Sequence, residues 1–194
     1  FTGHPLSANA YLGARGIVAA LDAGADVVVT GRVTDAALVI GPAAWWHGWD
    51  LDSPDSLDAL AGALVAGHVI ECGAQASGGN YAFFREVPGL EHVGFPIAEL
   101  AADGTSVITK HPNTGGLVSP GTVTAQLLYE VGDERYLNPD VTGRFDTIEI
   151  DQVGKDRVRL SGVRGEGAPE TLKVAINYLG GFRNSMTLVL TGAD

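Results

Sequence analysis

One decapeptide constrains this chain more than any other: Asp26-Val27-Val28-Val29-Thr30-Gly31-Arg32-Val33-Thr34-Asp35. An apolar β-branched run stops abruptly in a polar turn, and a helix-like segment opens at Ala36. α/β proteins build sites this way, with a buried strand delivering polar groups to its C-terminal edge beside a helix start. The pattern predicts an α/β fold, a helix-flanked and mainly parallel sheet, over residues 1–132. It places a candidate substrate site at Thr30, Arg32, Thr34 and Asp35. Arg32 would pair an anion while helix-start amides face the ligand. The alternative is that Thr34 and Asp35 only cap the helix and Arg32 meets a surface carboxylate.

Helical spacing predicts a first helix capped by Ser7 or Asn9 and running to Ala23, with Gly24 as its stop. A second, Ala36–Ile40, meets an interruption at Gly41-Pro42. A third follows Asp55 or Ser56, with Leu57, Leu60, Leu64, Val65, Val69 and Ile70 on helical period. Asp103-Gly104 marks a hairpin between Ile97–Ala101 and Ser106–Thr109. Ser119 or Thr122 caps a short helix. Residues 133–194 read as a mostly antiparallel β region: one hairpin turns at Gly154-Lys155-Asp156, and Leu172–Leu179 pairs with Ser185–Leu190 across Gly180-Gly181. The chain opens at Phe1 and its one Met is Met186. That predicts a fragment whose upstream strands are missing from the α/β region.

Charge narrows the partners. A net charge of -11 with 12 Lys and Arg cannot assemble a basic face for a phosphate backbone, so no nucleic acid is expected. No apolar stretch is long and clean enough to span a membrane, and no signal peptide is visible. A lone cysteine, Cys72, excludes an internal disulfide and suits the cytoplasm.

Three further loops carry chemistry-bearing residues. Ser77-Gly78-Gly79-Asn80 follows His68-x-x-Glu71-Cys72; adjacent glycines admit a ligand to the backbone, and Asn80 both donates and accepts. His68, Glu71 and Cys72 share a helix face, yet a metal needs further ligands and none is marked. Lys110-His111-Pro112-Asn113-Thr114-Gly115-Gly116 ends a strand. There His111 is the candidate for proton transfer, with Lys110 beside it, and Asn113, Thr114, Gly115 and Gly116 line the substrate. Arg183 and Asn184 follow Gly180-Gly181, at a pocket edge or in a plain hairpin turn. Trp45, Trp46 and Trp49 suit a core or an interface. If these loops gather at one sheet edge, at least three of Arg32, Asn80, Lys110 and His111 border one pocket.

Ala8–Leu12, Gly24–Ile40, Cys72–Asn80, Val107–Gly121 and Lys173–Asn184 together resemble the acyclic terpene utilisation family, the AtuA-like proteins, in order and over essentially the whole chain. The resemblance implies longer relatives with a further N-terminal α/β segment. It also implies a cytoplasmic role in degrading acyclic monoterpenoids such as citronellol and geraniol through acyl-CoA intermediates. Some related proteins are fused to a carboxyltransferase subunit of a biotin-dependent carboxylase. The expected function is a catabolic enzyme or enzyme component acting on an acyl-CoA or related branched carboxylate. The alternative is a non-catalytic subunit assembling with an acyl-CoA carboxylase. A homo-oligomer is a further alternative, and the sequence leaves the cofactor unknown.

Overall fold

A helix apolar on every side has to be buried on every side, and one such helix organises this chain. A computed structural model describes residues 4–189. Its centre is the third of four α-helices: α1 (Arg15–Asp22), α2 (Ala37–His47), α3 (Leu57–Ile70) and α4 (Pro120–Leu127). Every residue of α3 from Ala59 to Val69 is buried. Ser53 accepts a hydrogen bond from Asp55 N in the turn that leads into it.

Small residues let neighbours reach the α3 backbone. A Cβ on Gly67 would lie 2.8 Å from Ala36 Cα, just before α2. One on Gly62 would lie 2.1 Å from the Gly104 carbonyl oxygen. Gly104 has φ +84°, so the tight turn and the close approach fall on a single glycine pair. That turn joins β2 (Pro96–Leu100) to β3 (Ser106–Lys110), the hairpin expected at Asp103-Gly104. The hairpin β6 (Glu149–Gly154) to β7 (Arg157–Ser161) also forms, and β7 pairs with β3. The resulting four-stranded sheet, β2-β3-β7-β6, draws strands from both sides of residue 133. Ile108, Val158 and Leu160 share the core with Leu60 and Leu64 of α3. A three-stranded sheet, β4 (Arg135–Leu137), β5 (Thr142–Arg144) and β8 (Arg164–Glu166), also packs on α3. α4 begins with the Ser119–Thr122 capping box and Pro120 in its first turn.

The expected helix-flanked, mainly parallel sheet is not what forms. All three sheets of the described residues are antiparallel, and parallel pairing is confined to the isolated bridges Leu12–Val33 and Val93–Gly115. Val27–Thr30 is not a strand. Val27 and Val29 are 80% and 92% exposed, while Val28 packs against the core. A β-branched run reads as a buried strand only if both its faces are covered. Here one valine is covered, and no strand bonds to the backbone of 27–30 among the described residues.

The first helix is shorter than its spacing implied. Pro5–Ala10 is β1, in a two-stranded ribbon with β9 (Val174–Tyr178). The expected caps, Ser7 and Asn9, both lie within this strand, and Ala10, read as the start of the helical stripe, pairs with Val174 of β9 instead. β9 therefore pairs with β1 and not with 185–189, which have no regular structure; Leu190 lies outside the described residues. α2 runs through Gly41-Pro42 to His47, with Gly41 seated on Ile17 of α1.

Candidate functional site

The candidate site grows from three backbone segments lying side by side. Tyr11 N donates to Lys173 O at 2.9 Å, Leu12 N to Arg32 O at 3.2 Å, and Thr34 N to Leu12 O at 2.9 Å. This stitches the end of β1 between the residue before β9 and the Thr30–Asp35 turn. Two cavities open along the seam. The first, about 630 Å³, is bounded by Tyr11, Thr34, Asp35, Glu130, Tyr136 and Lys173. The second, about 550 Å³, lies between α1 and residues 28–33. Pro139 and Leu172 border both, so the chambers adjoin.

Two cations meet at the junction. The Arg32 guanidinium carbon and Lys173 Nζ each lie 5.3 Å from the Tyr11 ring centroid. Seven of the twelve Lys and Arg side chains are ion-paired among the described residues, and neither of these two is among the seven. In a chain this acidic, two cations flanking one ring with no carboxylate paired to either make the junction the place for an anion. Acidic groups stand around Tyr136 in the first chamber. Burial raises the Tyr136 phenol above its ordinary value, and Glu71, Asp35 and Glu130 push it further the same way. Thr34 Oγ1 is buried without a hydrogen-bond partner.

Behind Tyr136, His68 is fully buried and packs between Tyr136 and Phe145, with ring centroids 5.3 and 5.6 Å away. Its Nδ1 lies 3.2 Å from Glu71 Oε1, off the line of a hydrogen bond. Burial foremost, then Glu71, raises the Cys72 thiol, so Cys72 is not a poised thiolate. Among the described residues no group of three or more His, Cys, Asp or Glu is placed to hold a metal.

Asp140 closes the second chamber at the start of α1. Its oxygens accept from Ala14 N at 2.8 and 3.0 Å, and a Cβ on Gly13 would lie 2.2 Å from Asp140 Oδ1. Burial raises the Asp140 carboxyl above the usual range, against the Ala14 N–H and Arg15. A raised carboxyl stabilises the fold fully below its unfolded pKa, and that contribution is lost as pH rises through the folded one. The melting temperature of the native protein relative to Asp140→Asn is therefore expected to fall as pH rises above about 4, the ordinary carboxylate value. A relative rise in thermal melts over that range would refute the assignment.

The sequence-derived loops divide into two groups. Thr30 and Arg32 line the second chamber, and Thr34 and Asp35 the first. Asn80, Lys110 and His111 border neither. The glycine-rich loops are brought together with each other instead. Ser77 Oγ donates to Gly94 O, Leu117 N to Ser77 O, and Gly116 N to Pro88 O. Added Cβ atoms would meet Val87 from Gly78, Ala74 O from Gly79 and Gly89 O from Gly115. These glycines serve close backbone packing. Asn80 Nδ2 donates to Ala125 O at 3.2 Å. Lys110 Nζ donates to Thr114 O at 2.8 Å and lies 3.6 Å from Asp156 Oδ2. Asn113 takes φ +64° in that turn, and His111 is exposed. Arg183 and Asn184 are exposed in a segment without regular structure.

Sequence reading did not single out Tyr11, Glu130, Tyr136, Asn138 or Lys173. Tyr11 and Lys173 lie within segments that carry the family resemblance, which was the available signal.

These features define an α+β protein with a two-chambered cavity and a cationic junction between the chambers. The chain belongs to the acyclic terpene utilisation family: the family model described as acyclic terpene utilisation family protein AtuA matches residues 1–194. No curated protein and no solved structure matches it. No helix among the described residues is long and apolar enough to cross a membrane.

Proposed function

We propose that this protein is a catabolic enzyme of acyclic terpenoid and branched-acid breakdown that binds an acyl-CoA or related carboxylate at the junction of its two chambers. The observation that carries the reading is the convergence of Arg32 and Lys173 on Tyr11, with no carboxylate paired to either among the described residues. A carboxylate or thioester oxygen bound beside the Tyr11 ring would lie in the field of both positive charges. Asp35 and Glu130 line the first chamber with Lys173 and are the candidates in this reading for moving a proton. His111 and Lys110, the sequence-derived candidates for that role, lie away from both chambers, and Lys110 already engages Asp156 and Thr114.

A second reading is a non-catalytic subunit of a biotin-dependent acyl-CoA carboxylase. It is supported by α2, where Leu38, Trp45 and Trp46 are exposed, Trp46 to 74%. Incubation with acyl-CoAs and branched acids, followed by mass spectrometry, separates the two. Turnover by the protein alone supports the enzyme. Co-purification with carboxylase subunits and no turnover supports the subunit and rejects the enzyme.

A further inference from the structure

We infer that the second chamber holds the branched aliphatic tail of the ligand whose anionic head Arg32 binds, so that this chamber sets ligand length. The inference rests on Arg32 being the anion site. The chamber is lined by Gly16, Ile17 and Ala20 of α1 and by Val28, Val33 and the outward-lying Val29. They are aliphatic. The charged groups among its lining residues fix which way a ligand lies. Arg15 pairs with Asp52, the Nη1–Oδ2 distance being 2.9 Å. Asp140 is held by Ala14 N and turns an anionic head away from its end. Arg32 remains as the cation without a carboxylate partner, at the junction with the first chamber. Head at Arg32 and tail between α1 and the valines is the orientation that satisfies both ends.

Two glycines make the length reading testable. Gly16 and Gly31 line the chamber, and a Cβ at either meets no protein atom within 4 Å. A larger side chain is accommodated at either rim position without displacing the fold, and one that leans into the chamber shortens it. Gly16 lies inside α1, where leucine is the better helix former.

The experiment measures dissociation constants by isothermal titration calorimetry for branched alkanoic acids of increasing length and for the matching primary alcohols. With the native protein, each added methylene is expected to tighten binding by up to about fourfold until the tail fills the chamber. Each acid is expected to bind more tightly than its alcohol. Gly16→Leu should leave the shortest acids unchanged and abolish the gain for longer ones; Gly31→Val gives an independent version of that truncation. Arg32→Ala should erase the preference for acid over alcohol while keeping the dependence on length. Unchanged length dependence in both glycine variants, with acid preference still lost in Arg32→Ala, would overturn the tail assignment and leave the anion site standing. Absence of acid binding to the native protein would overturn both.

Discussion

Leu64→Ala is expected to cost about 2–5 kcal/mol of folding stability, read as a lower denaturant midpoint at unchanged slope. Leu64 is fully buried in the middle of α3. Its Cδ2 lies where a Cβ on Gly143 of β5 would come within 2.8 Å, so the side chain fills the contact between helix and sheet. The neighbours Ala61, Ala63 and Ala66 on the same helix are small and cannot reach into the vacated volume. A loss under about 1 kcal/mol would mean that the three-stranded sheet collapses onto the helix, and that α3 is not a rigid centre.

Arg32→Ala is expected to weaken binding of a branched carboxylate by about ten- to hundredfold, roughly 1.5–3 kcal/mol for a lost hydrogen bond to a charged group. Lys173→Ala should act in the same direction. Both cations converge on one ring, so the double variant should fall short of the product of the single effects. Folding stability should change by no more than about 0.5 kcal/mol in either, because both residues are exposed and neither is in an ion pair among the described residues. Calorimetric titration alongside denaturant melts checks both halves. Strictly multiplicative effects would place the two cations on separate ligands.

Legibility from sequence followed the range of the interaction that decides each element. α3 was readable because its apolar period and its burial carry the same information. The Asp103-Gly104 and Gly154-Lys155-Asp156 hairpins were readable because turn chemistry is local. β1 was missed because Ser7 and Asn9 are also good helix caps ahead of the apolar stripe from Ala10, and its partner β9 lies some 170 residues away, as the Asn177 Nδ2–Ser7 Oγ bond shows. Val27–Val29 was misread because propensity describes a residue's preference, not whether a neighbouring strand arrives. At the site, the Thr30–Asp35 turn was legible as a polar break after an apolar run. Tyr11 and Lys173 were not, because neither sits in a distinctive local motif and only the β1–β9 pairing brings them together. The glycine-rich loops resemble ligand cradles in sequence, since close packing of two backbones and close approach to a ligand require the same missing side chain.

The β1–β9 ribbon has a kinetic consequence. Tyr11 and Lys173 become neighbours only after a very long loop has closed, and closure entropy favours forming nearer contacts first. The binding junction is therefore assembled late, after α3 and the hairpins are in place. During synthesis the full binding junction is not complete until Lys173 has left the ribosome. A ligand bridging Arg32 and Lys173 would in turn act as a clasp, slowing the ribbon's opening and its cleavage by proteases.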